Sequence, residues 1–447
     1  MPHWNRATVA SAVLAVLAFA GGITLIVTAA ARDAPVIQGT AGPADPRGPV
    51  WGYLRSEVTA PAAPLEAPDS AAAGSWQVVD ALAAARPVIS RTEVGRYQVT
   101  FPGIGVAGGR GVALATSIGT PPDGGAYCHV TDWQAVRESA DEADEAVAAT
   151  AAGSGRAAPA RAGERLDERL DERVALVCRD PSGAYADSRF AVLFTHAPPG
   201  RVGTGDGGPY AYLRHDGSAA AGPLDPDQYS VAGPGRVDVR RVATGRYAVD
   251  LVGAQFVRPG NNLQLNAIGG GAAGCNPLDR EVLGDRQTVL VGCTDGATWA
   301  DTPFALLYTD RDALLPAGAG GFAHVFTGVT TGDGPVEPAP LGDPVEAWGR
   351  YSANSAGAVN TVRRVEVGVY EVVFPGVGRG PDFLGVTAYG DATSRCSADD
   401  WAREADETGA EPTDLTATIR CVDAAGRPVD SHASVAYVSA LPTGPAG

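Results

Sequence analysis

Apolar and polar residues alternate with a period of two in three short stretches of the chain. The stretches lie in three related decapeptides, VGRYQVTFPG from Val94, TGRYAVDLVG from Thr244 and VGVYEVVFPG from Val367. Each places one aromatic and two further apolar side chains on one face, which is typical of a half-buried β-strand. These side chains are Tyr97, Val99 and Phe101; Tyr247, Val249 and Leu251; Tyr370, Val372 and Phe374.

Other features recur around each decapeptide in a fixed order. A short aromatic strand precedes it: WGYLR at Trp51, YAYLR at Tyr210 and AWGR at Ala347. An apolar stretch that ends at a glycine follows it: ALATSIG, LQLNAIG and LGVTAYG. A cysteine, an apolar strand with a second cysteine, a turn and a last strand complete the series. The order predicts a tandem array of one unit of roughly a hundred residues.

Short alternating strands separated by Gly/Pro-rich turns favour an all-β fold. We expect three tandem antiparallel β-sandwich repeats of the jelly-roll or Ig-like kind. The predicted boundaries are 49–197 for repeat 1, 209–310 for repeat 2, 311–343 for a linker and 344–439 for repeat 3.

One charged insertion, residues 134–173, interrupts the first predicted repeat. Its ends are charged and helix-forming, and its middle is rich in Ala, Gly and Pro. Two interpretations remain open, a solvated and partly helical loop and a flap that recognises a ligand.

The amino terminus carries an export signal. His3 and Arg6 precede a run without charge, residues 7–30, which is long enough to span a bilayer and also ends in small residues that fit a cleavage site. Residues 1–31 are therefore a signal peptide or a membrane anchor, and residues 32–48 a flexible tether. Both alternatives predict an extracytoplasmic protein, secreted or anchored by residues 7–30, that meets the membrane only there.

The net charge of the chain limits the classes of partner that it can bind. The formal net charge is −17, and phosphate recognition needs a basic face, so nucleic acid is excluded as a partner. A cell-wall component or an extracellular protein remains possible as a partner.

The cysteines occupy matching places in the three predicted repeats. Because an exported chain meets an oxidising environment, we expect disulfides within each repeat, with buried free thiols as the alternative. The predicted pairs are Cys128–Cys178, Cys275–Cys293 and Cys396–Cys421.

An arginine and an aspartate also recur at matching places. We expect structural ion pairs between Arg91 and Asp187, Arg241 and Asp301, and Arg364 and Asp430. Anion binding by the arginines is one alternative. Calcium ligation by the aspartate pairs Asp180/Asp187, Asp295/Asp301 and Asp423/Asp430 is another.

Little in the sequence supports a catalytic, cofactor-binding or metal-binding motif. GIGVAG at Gly103 matches a dinucleotide-binding pattern but precedes a strand where a helix is needed. The six histidines form no metal-binding motif. Trp133 and Trp401 each follow a first cysteine by five residues, where the middle repeat has Arg280, and fit either a core position or sugar stacking. The sequence predicts no catalytic, cofactor or metal site.

The whole pattern, G-x-Y-x-V-x-F-P-G, V-T-A-Y-G, Cys, Trp, V-x-C-x-D-x-x-G and Asp-Ser, resembles exported tandem-repeat β domains of high-GC Gram-positive bacteria, for which no activity is known. RTEVGRYQVTF also resembles a strand pair of jelly-roll modules in fibre proteins. The resemblance brings no active site, and we expect a non-catalytic exported protein that presents or spaces a surface outside the cell, with carbohydrate or protein as a possible ligand. The alternative is an extracellular hydrolase with a site between modules. Hydrophobic cores confined to each module would favour the first.

Overall fold

Antiparallel strands joined by turns make up the described part of the chain in the computed structural model. It describes residues 49–56, 65–66, 76–78, 87–119, 126–137, 170–198 and 209–440, with gaps at 220, 226–227, 232, 259–260, 317–318, 330–336, 339–340, 343, 348–350, 381 and 405–412. Within these ranges the fold is all-β, and the only helical turns are 3-10 turns at Ala107–Gly109 and Ala254–Phe256. The predicted signal or anchor, 1–31, and the tether, 32–48, lie outside the described residues.

The first segment, residues 49–198, forms two sheets. Its strands are β1 Val50–Arg55, β2 Leu65–Glu66, β3 Trp76–Val78, β4 Val88–Glu93, β5 Arg96–Phe101, β6 Val112–Ile118, β7 Tyr127–Arg137, β8 Leu170–Arg179 and β9 Arg189–His196. One layer has the order β3-β1-β9-β6 and the other β2-β4-β5-β8-β7. The two layers form a β-sandwich-like pair whose apolar faces meet.

The second segment, residues 209–316, has the same pairing order. Its strands are β10 Tyr210–His215, β11 Gly222–Pro223, β12 Tyr229–Val231, β13 Arg236–Ala243, β14 Arg246–Val252, β15 Asn262–Ala267, β16 Ala273–Leu283, β17 Arg286–Asp295, β18 Thr298–Trp299 and β19 Phe304–Thr309. The layers are β12-β10-β19-β15 and β11-β13-β14-β17-β16, and β18 pairs with β17.

The third segment, residues 319–440, begins earlier than predicted. Its strands are β20 Ala319–Phe326, β21 Gly328–Val329, β22 Glu337–Pro338, β23 Val345–Ala347, β24 Ser352–Asn354, β25 Asn360–Glu366, β26 Val369–Gly378, β27 Asp382–Tyr389, β28 Arg395–Arg403, β29 Thr413–Val422 and β30 His432–Ala440. The layers are β24-β20-β30-β27 and β23-β25-β26-β29-β28.

The assignment of residues 311–343 as a linker and of 344 as the start of repeat 3 is therefore wrong. Strand β20 lies beside β30, where β1 lies beside β9 in the first segment. The sequence AGGFAHVF hides this strand because its glycines and small residues look like a linker. Of the AWGR stretch the structure describes Ala347 alone, which ends β23, a short edge strand of the other layer.

The limits of the insertion, 134–173, also need correction. Gln134 pairs with Arg173 and Arg137 with Leu170, so both ends extend the hairpin of β7 and β8. The outermost four residues at each end, 134–137 and 170–173, are thus strand, because pairing across the hairpin overrides the local propensity. Residues 138–169 lie outside the described part.

The hydrophobic core is shared between the segments. One buried cluster includes Leu114 of the first segment, Leu307 of the second and Leu384 of the third, and a second cluster lies within the second segment. The described residues belong to a single compact unit, 43–447. None of its described helical turns is long and apolar enough to cross a membrane.

Candidate functional site

Three strands, one from each segment, meet at the centre of the fold. These central strands are β6, β15 and β27, and each pairs with the last strand of its own segment. Thr116, Asn266 and Thr387 occupy the same register on them, opposite Ala191, Ala305 and Ser434. The centre is thus built from matching positions.

Each of these polar side chains accepts a hydrogen bond from the backbone of another central strand. Thr116 Oγ1 accepts from Val386 N at 3.1 Å, Asn266 Oδ1 from Ala115 N at 2.7 Å and Thr387 Oγ1 from Leu265 N at 3.0 Å. A buried edge strand needs partners for its free N–H groups. The side chains supply them in a cycle, from the first segment to the third, from the third to the second and from the second to the first.

A glycine at the end of each central strand closes the same cycle. Gly119 N donates to Ala398 O at 3.1 Å, Gly269 N to Val130 O at 3.1 Å and Gly390 N to Pro277 O at 2.9 Å. These are the glycines that end the three repeated apolar stretches of the sequence. Their recurrence is explained by contact between segments.

A small cavity, the central cavity, lies where the central strands reach the disulfide-bearing strands. Its volume is about 70 Å³, and the described residues that line it come from all three segments. They include Thr116, Ser117 and His129 of the first, Asn276 of the second and Arg395 of the third. A single water needs roughly 10–15 Å³ on this measure, so the cavity has room for several waters or one small ligand.

The glycine-rich loop 269–272 is held beside this cavity by basic side chains of the other segments. His129 Nε2 lies 2.6 Å from Gly269 O, and Arg395 Nη2 donates to Ala272 O at 2.9 Å. Arg179 donates to Gly270 O. One buried His and two Arg thus converge on three carbonyl oxygens.

Burial sets the charge state of the imidazole. Desolvation lowers the pKa of His129 to about 4, so the ring is neutral at pH 7. Its Nδ1 is buried and has no hydrogen-bond partner within the described part of the protein. Desolvation also lowers the pKa of Arg395, whose guanidinium stacks over Tyr127 with Cζ 3.7 Å from the ring centre.

The structure brings together all three predicted Arg/Asp pairs, at the tips of the outer hairpins. The shortest N–O distances are 2.8 Å for Arg91–Asp187, 2.8 Å for Arg241–Asp301 and 2.7 Å for Arg364–Asp430. The aspartate also accepts from the backbone N–H of the hairpin glycine, Gly95, Gly245 or Gly368, at 2.8–2.9 Å. The arginines are occupied within the protein, which favours the structural interpretation over anion binding.

The hairpin glycine itself is required by geometry. Gly95, Gly245 and Gly368 have φ of 64°, 66° and 72°, and a Cβ at Gly95 would lie 2.6 Å from Cys178 O. No L side chain fits this conformation and this close approach easily. The repeated glycine of the decapeptides is explained.

The cysteines also meet as predicted. The disulfides are Cys128–Cys178, Cys275–Cys293 and Cys396–Cys421, with Cα–Cα distances of 4.0, 4.1 and 4.1 Å. Each joins neighbouring strands of one layer. Three disulfides indicate an oxidising compartment.

Calcium ligation finds no support in the aspartates that we can place. Asp180 Oδ1 accepts from Ser182 Oγ and Ala184 N, and Asp423 Oδ1 accepts from Ala425 N and Arg427 N, as turn caps do. The described residues hold no group of three or more His, Cys, Asp or Glu that could bind a metal ion.

The two tryptophans lie at boundaries between segments. Trp133 and Trp401 are 1% and 3% exposed, so neither offers a free ring face to a sugar. Arg214 of the second segment stacks over Trp133 at 4.4 Å, and Arg55 of the first over Trp401 at 4.0 Å. The same contact thus links the second segment to the first and the first to the third.

At the boundary between the second and third segments, the cationic and aromatic residues exchange places. Arg280 takes the place of the tryptophan, and Phe326 takes the place of Arg55 and Arg214 opposite the last strand. Arg280 stacks over Tyr351 of the third segment at 4.6 Å, and Phe326 packs on that tyrosine. The exchange preserves a cation against an aromatic ring.

Sequence reasoning missed the central residues, although a signal was present. Thr116, Asn266 and Thr387 each stand three residues before the repeated glycine, as a polar residue within an apolar strand. Comparisons with protein-family models, curated proteins and solved structures found no match. The site therefore rests on its geometry.

Proposed function

We propose that the chain is an exported, non-catalytic head in which three copies of one β-sandwich unit pack round an approximate three-fold axis and present a surface outside the cell. The copies are the three segments, residues 49–198, 209–316 and 319–440. The cyclic hydrogen bonds of Gly119, Gly269 and Gly390 support this arrangement, since each copy gives the next the same bond. The core is shared between the segments, so the criterion of cores confined to each module is not met, and the sharing argues for a rigid head instead of separate modules along a string.

The direction of the strands gives the head two different ends. Val50 pairs with His196 at the close of β9, and Gly321 with Ser439 near the close of β30, so the chain enters and leaves at one end. The braced hairpins lie at the start of these strands, because Asp187 precedes β9 and binds Gly95. Eight residues of β9 separate the two ends by about 25 Å.

The hairpin end therefore lies opposite the end at which β1 begins and β9 closes. It exposes apolar side chains beside each hairpin glycine: Val94 at 52% and Val367 at 51% directly before it, where the second segment has Thr244, and Val242 at 53% and Val365 at 48% three residues before it. Trp299, 37% exposed, lies on the same end next to Arg246. This is the observation that carries the proposal. A repeated apolar tip fits a cell-wall component or an extracellular protein as partner.

A binding assay with isolated cell walls tests the surface. We expect the fragment Arg32–Gly447 to be retained, and the triple variant Val94→Ser, Val242→Ser, Val367→Ser to lose at least ten-fold in apparent affinity. Leu283→Ser is the matched control, since Leu283 is 46% exposed but lies on the opposite end of the outer layer. Equal binding by both variants would remove the hairpin end from the proposal.

The export part of the proposal has its own test. The charge-free run at residues 7–30 and the three disulfides support an extracytoplasmic location, secreted or anchored. Protease added to intact cells should digest the chain beyond Arg32, or the chain should be found in the medium. A reduced, full-length pool in the cytoplasm would contradict it.

The hydrolase alternative has one specific observation in its favour. The central cavity lies between the segments and is lined by His129, a neutral imidazole able to accept a proton. A hydrolase would lose its activity in His129→Gln at unchanged thermal stability. Screening generic ester, glycoside and peptide substrates with both proteins separates the two functions.

A further inference from the structure

The central cavity has an unusual balance of charge for so acidic a chain. Its described lining contains the guanidinium of Arg395 but no Asp or Glu side chain. Within the described residues, no carboxylate lies within ion-pair distance of Arg395, although most arginines of the hairpins and turns have such a partner. Asp295 acts on the guanidinium only from beyond that distance, and a half-buried cation without a carboxylate in contact is costly to maintain.

The guanidinium of Arg395 also has N–H donors that are not used by the described residues. In the described part of the chain Nη2 donates to Ala272 O at 2.9 Å, and the hydroxyl of Tyr127 lies close enough to stabilise the cation. A planar guanidinium carries five N–H donors and matches oxyanions with two of them at once. Stacking over Tyr127 fixes its plane beside the cavity.

Two hydroxyl groups line the same space. Thr116 and Ser117 are 4% and 5% exposed, and Thr116 Oγ1 accepts a bond from Val386 N. Neither hydroxyl donates to an acceptor among the residues that the structure describes. Hydroxyl donors that no described protein group occupies are available to an acceptor inside the cavity.

We propose that the central cavity binds one small oxyanion, a phosphate, sulfate or carboxylate group, through Arg395 and the hydroxyls of Thr116 and Ser117. The volume of about 70 Å³ suits a group of this size. Because all three segments line the cavity, the anion fastens them to one another. This site is independent of the hairpin end and of the partner proposed there.

Thermal unfolding at constant ionic strength tests the site in the whole Arg32–Gly447 head. Replacing chloride by millimolar inorganic phosphate or sulfate should raise the midpoint by several degrees, with a dependence on concentration that saturates. Arg395→Gln should weaken the apparent affinity at least ten-fold. Arg427→Gln, which removes an exposed arginine paired with Asp423 on a nearby turn, should leave it unchanged.

A second variant keeps the test decisive if Arg395→Gln does not fold. Ser117→Ala removes a single hydroxyl and should weaken the affinity about three- to ten-fold. Equal midpoints in phosphate and chloride, or the same rise in all variants, would overturn the site.

The source of the oxyanion is settled by a comparison of ligands. Inorganic phosphate and glycerol 3-phosphate both bind if the site takes a terminal group of a larger molecule, whereas only the free ion binds if the cavity encloses it. Acetate tests whether the site also binds a carboxylate group. Failure of all three would sink the site and leave the hairpin-end proposal untouched.

Discussion

A single carboxylate, Asp187, holds an entire hairpin tip. Its Oδ1 accepts from Arg91 Nε, Gly95 N and Tyr97 OH, and its Oδ2 accepts from Arg91 Nη2. Asp187→Ala would leave the buried Tyr97 hydroxyl and the Gly95 N–H without this partner. We expect a loss of about 2 kcal/mol in the free energy of unfolding, measured by urea titration.

A matched variant separates this effect from the removal of any acidic side chain. Glu93 pairs with Arg96 at 3.3 Å on the same hairpin but is 73% exposed. Glu93→Ala should cost less than about 0.5 kcal/mol, because exposed ion pairs contribute little. Similar losses in both variants would show that the carboxylate of Asp187 does not brace the hairpin.

Glu172 gives the fold a dependence on pH. Burial raises the pKa of its fully buried carboxyl group to about 8, well above the ordinary value near 4.5. Between these values the folded protein holds a proton that the unfolded chain releases. The contribution is complete below about pH 4.5, falls as the pH rises and is lost above about pH 8.

Glu172→Gln should remove this decline and make the protein more stable than the wild type above pH 8. Gln is accommodated at the same register of the second segment, as Gln287 opposite Leu251. Urea midpoints from pH 5 to pH 9 measure the effect, with the exposed Glu281→Gln as control. Parallel pH curves for wild type and Glu172→Gln would contradict the assignment.

At the scale of elements, local pattern and long-range pairing contributed differently. The strands around Tyr97, Tyr247 and Tyr370 could be predicted because alternation and a hairpin glycine are local signals. Strand β20 could not, since AGGFAHVF becomes a strand only by pairing with β30 more than a hundred residues later. The central cavity was out of reach for the same reason, because its lining comes from three distant stretches.

The hairpin of β7 and β8 offers a clean test of what the insertion contributes. Val136 pairs with Asp171 just as Leu283 pairs with Arg286, and Gly284-Asp285 joins the latter two as a tight turn. Replacing residues 137–170 by Gly-Asp should therefore preserve the register and change the melting midpoint by only a few degrees. Loss of soluble protein, or of the Cys128–Cys178 disulfide by mass mapping, would show that the segment is needed for folding.

At the scale of the whole molecule, the segments are held by contacts that differ in kind at each boundary. Central hydrogen bonds and terminal glycines repeat around the cycle, while the outer contact uses Arg on Trp twice and Arg on Tyr once. Because one boundary uses Arg on Tyr instead of Arg on Trp, each segment is matched to one particular neighbouring segment. A single chain can therefore specify the order of the segments as well as their shape.

Cutting the chain between the first two segments measures how strongly these contacts hold. A protease site inserted between Gly205 and Asp206 would be cleaved in the purified head, and no disulfide crosses the cut among the three found. Since Tyr212 OH accepts from Ala197 N and the core is shared, the fragments should stay together as one particle at micromolar concentration. Size-exclusion chromatography with light scattering gives the mass. The same cut in Thr116→Val, Asn266→Ala leaves Val386 N and Ala115 N without their acceptors, at about 1–3 kcal/mol each, and should release the fragments at lower denaturant than the intact interface does. Two separate particles from the cleaved wild type would mean that the segments are independent modules on a string.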